Sequence, residues 1–454
     1  MSVNKYRTVG PPVGPPPQAL GFNVGNMVFS GWTRPLDDWM RYQAPYVTIV
    51  APAGVVDPTN GDHISGEVKY TIWVREGVVF PQGTWDISWT GGGTGPTTMT
   101  VGPGDSSKTL TYNGVVNGIS ATLQGAPPGP LTSTFESRAS RGDCIRFMES
   151  RRINSVEYDD ANPDVRVVDG ATNRFYHKLL SHLDYAVDLA EANSQNLWIC
   201  FHHLATDANI TAAATAIAAS AFSGTLYVEH SNEIWNSAFP QHAYGLTQAT
   251  NPPYTGGTFQ NLQAWHADRT HTIGGLVKAQ IPGAVVVWGT QSAVPAWDNA
   301  LAFAQTSLSN IDAIGIAPYM GGRWSRPQSA ATIQTLTDQQ IADGAISDLD
   351  TNVKGEVLSW KAAADARSWR LLGYEGGAHL DHADSAAEAY LAASSQSVEM
   401  GVAYGTYLDW WHANVADLLC LFQDVGDPDD PWSHLHGERG AISPRWQAFL
   451  DRAN

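Results

Sequence analysis

From about residue 131 onward the chain repeats one pattern: a short, almost wholly apolar run, then a longer stretch with helical periodicity. The apolar runs are Asp143–Met148, Leu197–Phe201, Thr225–Glu229, Ala284–Gly289, Ala313–Pro318, Arg370–Tyr374 and Leu418–Gln423. Helix-like segments lie between them, including Phe175–Asn193, Ile210–Ala221, Ala264–Gln280, Thr332–Asp348 and Ala386–His412. A strand that is apolar on both faces must be covered on both faces, which is the situation of a parallel sheet flanked by helices. An earlier run, Ala19–Asn26, brings the number of strands to eight. Eight βα units specify an α/β chain closed into a (β/α)8 TIM barrel. The competing architecture is a doubly wound open sheet. No GxGxxG follows the first strand, so the dinucleotide site that such a sheet often carries has no support, and no cofactor is expected.

Between the first strand and the repeating pattern the texture changes. Runs such as Val68-Lys69-Tyr70-Thr71-Ile72-Trp73-Val74 and Thr84-Trp85-Asp86-Ile87-Ser88-Trp89 alternate with period two. They are separated by turn formers, Asn60-Gly61, Gly91-Gly92-Gly93 and Asn113-Gly114. Such spacing predicts an inserted antiparallel β-domain. The expected organisation is a lead-in with the first barrel strand (1–45), the insertion (46–130) and the remainder of the barrel (131–454). The proline-rich stretch 9–17 is expected to be an extended strap.

Composition narrows the partners. A formal net charge of -18 disfavours nucleic acid and anionic membrane surfaces, since such a surface repels both. The start, MSVNKYRTVGPPVGPPPQAL, holds no apolar run of the kind an ordinary secretory signal needs, and no segment reaches membrane-span length. The chain is therefore expected to stay where it is made or to leave by another route, such as assembly into a larger particle. Cys144, Cys200 and Cys420 lie in apolar runs without a CxxC pattern and read as small buried hydrophobes. The 17 Trp and 16 Tyr suit both a core and the flat faces of sugar rings.

In a barrel of this kind the groups that carry chemistry stand beyond the C-terminal ends of the strands. After Leu226-Tyr227-Val228-Glu229 comes His230-Ser231-Asn232-Glu233-Ile234-Trp235-Asn236, and after Leu371-Leu372-Gly373-Tyr374 comes Glu375-Gly376-Gly377-Ala378-His379-Leu380. A carboxylate thus ends the fourth strand and another ends the seventh. Glycosidic cleavage needs such a pair, one to protonate the departing oxygen and one to attack the anomeric carbon. Glu233 is assigned as acid/base and Glu375 as nucleophile, and an ionised Glu375 would raise the pKa of Glu233. The glycines after Glu375 are expected to admit substrate or backbone closely. A structural ion pair with a neighbouring arginine is the alternative for either glutamate alone.

The stretch LYVEHSNEIWN, followed by YEGGAHL, resembles clan A glycoside hydrolases, in particular a cellulase-like bacterial group related to family 5. The resemblance runs from about Arg141 to Leu450, with the first strand added. It implies retention of anomeric configuration and an Asn232 that hydrogen-bonds the sugar 2-hydroxyl. It also places Arg146 where the clan supports its nucleophile, and Tyr319 where the clan hydrogen-bonds it; a strand-capping arginine and a core tyrosine are the alternatives. His203, ending the third strand, reads as a sugar contact or a structural side chain. The His202-His203 pair invites a metal, but no further ligands at metal spacing accompany it, so none is assigned. His379 follows the nucleophile as a wall residue. Trp410 and Trp411 lie in a helical pattern and read as core, which leaves Trp432 as the aromatic platform. The acidic loop Asp424-Val425-Gly426-Asp427-Pro428-Asp429-Asp430 lacks EF-hand spacing and reads as solvated, with calcium as the alternative.

The leading expectation is an endo-acting, retaining hydrolase of a β-linked polysaccharide, a cellulose-like β-1,4-glucan or a bacterial exopolysaccharide. Its alternatives are a non-catalytic carbohydrate-binding protein and a structural component of a larger assembly.

Overall fold

A computed structural model describes residues 19–24, 46–50, 66–73, 83–90, 92–105, 107–115, 118–123, 142–147, 174–176, 187, 190–191, 194–250, 254–294, 299–304, 308–422, 431–432, 434 and 443–453. The strap at 9–17 and the acidic loop at 424–430 lie outside them.

The apolar runs form one closed barrel. Its strands are β1 (Leu20–Val24), β2 (Cys144–Phe147), β3 (Asn196–Phe201), β4 (Leu226–His230), β5 (Val285–Gly289), β6 (Ala313–Ile316), β7 (Arg370–Gly373) and β8 (Leu419–Leu421). Each pairs in parallel with its sequence neighbours, and β1 closes the ring by placing Gly21 opposite both Cys144 and Cys420. The fold is therefore the (β/α)8 barrel, and the open doubly wound sheet is excluded.

Alternation along each strand sorts side chains into two layers. Cys144, Trp198, Cys200, Tyr227, Val287, Ala313, Leu372 and Cys420 pack together inside the barrel. Ile314, Ile316, Leu371, Leu419 and Leu421 face outward into the larger core beneath the helices. All three cysteines are buried, with no disulfide between them. Two charged residues, Arg146 and Glu229, are buried among these apolar strands, and their meeting determines the site described below.

Several helices differ from the sequence expectation, each for a local reason. Ala386–His412 is two helices, Ser385–Ser394 and Val398–Asn414, because Ser397 caps the second by accepting from the Met400 amide. Trp411 on that second helix is buried core, with its indole N–H on the Asp417 carbonyl. Thr332–Asp348 likewise divides into Ala330–Ile333 and Asp338–Asp348, the latter started by a capping box of Thr337 and Gln340. The segment expected as a helix from Phe175 begins instead as a strand, Arg174–Tyr176. Aromatic residues favour extended backbone, and the open edge of Tyr46–Val50 supplies the partner.

The antiparallel strands form two sheets. One runs Arg174–Tyr176, Tyr46–Val50, Glu67–Trp73, Ser107–Gly114, Gly93–Thr94, so it draws a strand from beyond residue 130; the other centres Gly83–Thr90 between Thr98–Val101 and Gly118–Leu123. Their inward positions, including Val68, Trp85, Ile87, Met99, Val101, Leu110 and Tyr112, are buried as period-two patterning requires. No helix among the described residues is long and apolar enough to cross a membrane.

Candidate active site

The site is built around a fully buried cation. Arg146 reaches inward from β2, and its Nη2 donates to Glu229 Oε2 at 2.9 Å and to Asn232 Oδ1 at 2.7 Å, while Nη1 donates to Glu375 Oε1 at 3.3 Å. Its guanidinium lies between the rings of Trp198 and Tyr374, at 5.3 and 4.9 Å from their centroids. A buried charge with this many partners is costly to break, because removing the arginine would strand carboxylates in a low-dielectric interior. Glu229 is the partner that sequence reading overlooked. It sits one strand residue before the rim and also accepts from Trp198 Nε1 at 3.1 Å and from the Cys200 thiol at 3.5 Å. A Cβ on Gly289 would stand 2.2 Å from Glu229 Oε1, so glycine there leaves the carboxylate its place. The legible signal was a charged residue inside an otherwise apolar strand, on the inward-facing register shared with Tyr227.

Glu375 follows β7 and is buried. Arg146 holds one carboxylate oxygen, and the Tyr319 hydroxyl donates to the other at 2.8 Å. Tyr319 is positioned by a short ladder past the barrel rim, in which it pairs with Gly377 and Met320 pairs with Ala378. Burial pushes the Glu375 carboxyl up from its ordinary range, and Arg146 and the Tyr319 hydrogen bond oppose that rise. The two glycines after Glu375 make room for protein rather than for substrate. A Cβ on Gly376 would meet the Tyr407 hydroxyl at 2.5 Å, and one on Gly377, whose φ is +120°, would meet the Tyr404 hydroxyl at 2.6 Å.

Glu233 stands on different backbone. Ser231 and Glu233 have φ of +65° and +48°, the left-handed region that costs a non-glycine residue on the order of 1 kcal/mol each. Surrounding bonds enforce this turn: the Ser231 amide donates to the Phe201 carbonyl at 2.7 Å, and Gln241 Nε2 donates to the Asn232 carbonyl at 2.6 Å. The Glu233 carboxyl keeps some solvent contact but is enclosed by protein. Its hydrogen-bond donors are neutral, Asn236 Nδ2 on Oε2 at 2.8 Å and the Tyr374 hydroxyl near Oε1 at 3.3 Å. Burial, and then the charge of Glu375, push it up to about 8.

The remaining candidates fall in two aromatic groups. Trp432 packs its ring 3.7 Å from His379, 5.4 Å from Tyr319 and 5.8 Å from Phe422, centroid to centroid, so Trp432, His379 and the tyrosine on Glu375 form one cluster. The loop carrying Trp432 is pinned by Arg445, whose Nη1 donates to the Pro431 carbonyl at 2.9 Å. His379 is held from outside by Arg326, Nη2 to Nε2 at 2.8 Å. His203 belongs to a separate aromatic group at the end of β3, 4.1 Å from His202 and 5.2 Å from Tyr244. No three His, Cys, Asp or Glu side chains among the described residues stand together as a metal site.

No protein-family model and no curated protein matches the chain. Among solved structures it is similar to a GH51 arabinofuranosidase from Xanthomonas axonopodis pv. citri, with 13% identity and a TM-score of 0.43 over 68% of this chain and 62% of that one. It is also similar to an endo-beta-1,4-glucanase from the same organism, with 11% identity and a TM-score of 0.38 over 68% and 86% of the two chains. A third, xylanase10C from Cellvibrio japonicus, has 10% identity and a TM-score of 0.37 over 91% and 98%. The chain thus spans less than two thirds of the arabinofuranosidase's length. At these values the likenesses add nothing to what the strand pairing itself shows, and the chemistry rests on the site's own residues.

Proposed function

We propose that this protein is a retaining glycoside hydrolase of clan A, related to family 5, that cleaves a β-linked polysaccharide internally by double displacement. The carrying observation is the contrast between two glutamates at the ends of β4 and β7. Glu375 meets a buried cation and a phenol; Glu233 meets only neutral donors and feels the charge of Glu375. One carboxyl is equipped to be an anion and the other to carry a proton at neutral pH.

In the first step Glu233 gives its proton to the glycosidic oxygen as a Glu375 oxygen attacks the anomeric carbon, forming a glycosyl ester and freeing the leaving sugar. Negative charge passes from Glu375 to Glu233, so the site's net charge is unchanged. Arg146 is not left alone when Glu375 becomes a neutral ester, because Glu229 still neutralises it. Loss of the Glu375 charge removes the second of the two causes that raise Glu233, so its pKa falls in the glycosyl ester, while burial, the larger cause, still holds it up as a base. Glu233 then takes a proton from water as the water oxygen attacks the anomeric carbon on the face the leaving sugar vacated, breaking the bond to Glu375 and restoring both carboxyls. Asn232, whose carboxamide oxygen is engaged by Arg146, presents its N–H side to the sugar 2-hydroxyl. Trp432 supplies an aromatic face for a pyranose ring, with the His379 ring tilted 47° beside it.

A cellulose-like β-1,4-glucan or a related bacterial exopolysaccharide is the substrate proposed. A screen of β-linked polysaccharides with reducing-end detection tests it: the wild type should release reducing ends from at least one, and E233Q and E375A should not. Binding without release by the wild type would favour a non-catalytic carbohydrate-binding protein instead.

A further inference from the structure

Tyr374 is the residue immediately before the proposed nucleophile, yet its side chain serves the other glutamate. It is fully buried, and its ring packs under Arg146. Its hydroxyl receives the indole N–H of Trp235 at 3.2 Å. Two acceptors stand within reach of its single proton, Glu233 Oε1 at 3.3 Å and the Thr290 carbonyl at 3.4 Å. The Thr290 carbonyl is fixed at the end of β5, where the Thr290 amide is bound to the Gly315 carbonyl at 2.9 Å. A phenol has one proton, so it serves one acceptor at a time, and rotation about the C–O bond exchanges them.

We propose that Tyr374 is a positioning residue that tracks the charge of Glu233, donating to the Thr290 carbonyl while Glu233 is protonated and turning to Glu233 Oε1 once it is an anion. The proposal rests on the acid/base reading of Glu233 and adds to it a means of stabilising the anion that forms mid-reaction. No bond to carbon is made or broken and no proton leaves the phenol; only the direction of one O–H changes. The Trp235 N–H stays on the hydroxyl oxygen in both positions, polarising the O–H and keeping the ring in register. Asn236 already occupies Oε2, so Oε1 is the oxygen that otherwise lacks a donor among the described residues when the carboxyl is charged. Burial also keeps the Tyr374 phenol well above its ordinary range, so it remains a donor throughout the working pH span.

The test is the ionisation of Glu233 followed directly. The full-length chain, labelled with [5-13C]glutamate, is titrated by carbon NMR in wild-type, Y374F and W235F forms, with E233Q assigning the signal. The Glu233 midpoint should rise by about one pH unit in Y374F, as expected for loss of one hydrogen bond to a charged group. It should rise by a smaller amount in W235F, which leaves the phenol in place but unpolarised. An unchanged midpoint in Y374F overturns the proposal, and if that variant fails to fold, an unchanged midpoint in W235F does so. The titration needs no substrate, so it separates this inference from the assigned activity. On a substrate found by the polysaccharide screen, the alkaline limb of kcat/KM should move with the midpoint. A moved midpoint with an unmoved limb faults the acid/base assignment of Glu233 and leaves the Tyr374 contact standing.

Discussion

At the end of β7, Glu375 sits outside the left-handed region and meets Arg146 and Tyr319; at the end of β4, Glu233 stands on left-handed backbone and meets Asn236 and Tyr374. The same side chain is thereby given two chemistries. A cation within hydrogen-bond reach opposes what burial does to Glu375; at Glu233 the Asn236 hydrogen bond and the charge of Arg146, which makes no hydrogen bond to it, oppose burial and the charge of Glu375 without offsetting them. The backbone strain follows the same division: it lies at Ser231 and Glu233, where the loop bonds around Ser231 and Asn232 hold it.

The comparison breaks most completely by deleting its members. E375A should lower kcat by roughly 10^4-fold or more, since no nucleophile remains. E233A should lower it by about 10^2- to 10^4-fold, and on an aryl glycoside whose leaving group needs no acid it should regain turnover with added azide, which attacks the anomeric carbon of the glycosyl ester without a general base. If azide rescues E375A with retention and E233A not at all, the two roles are exchanged. Removing the cation tests what maintains the difference: R146M should destabilise the fold by roughly 3–5 kcal/mol in urea unfolding, because Glu229 and Glu375 are both left unpaired in the interior.

A gentler variant separates stability from function. Glu233 is raised to about 8 in the folded chain, above the value of an unfolded glutamate. Its contribution to stability is therefore full below about pH 4.3, where both states are protonated, and is lost as pH rises through 8. E233Q, neutral at every pH, should melt at a higher temperature than wild type above pH 8. That advantage should vanish in acid. Equal melting temperatures at high pH would mean that Glu233 ionises without penalty. The smallest effect is expected at the wall, where W432A should raise KM by about 10-fold with little change in kcat, as loss of one stacking surface implies.

Much of this was legible in the sequence. Eight apolar runs separated by helical stretches specify the barrel because burial on both faces leaves a strand no polar alternation. The barrel in turn tells which residues to examine, so Glu233 and Glu375 are found by being next to strand ends. What was not legible depends on register and distance. Arg146 and Glu375 are 229 residues apart, and Tyr374 and Glu233 are 141 apart, so neither pairing leaves a local pattern. Glu229 and Tyr374 read as strand interior, and only the inward register turns them toward the site. The glycines after Glu375 illustrate the reverse case: the need for glycine was legible, but its cause, the hydroxyls of Tyr404 and Tyr407 arriving from a distant helix, was not. Local chemistry also decided the divided helices, where Ser397 and Thr337 supply caps that a periodicity reading passes over.

The central claim is that two differently tuned carboxyls act in succession from opposite faces of the anomeric carbon. Proton NMR of the first sugar released from a cleaved β-linked polysaccharide, recorded before the anomers equilibrate, measures this directly. The β-anomer should appear first and the α-anomer only later, by mutarotation, as expected if the two carboxyls stand roughly 5 Å apart. An α-anomer appearing first would mean direct attack by water, and would contradict the assignment of Glu375 as nucleophile.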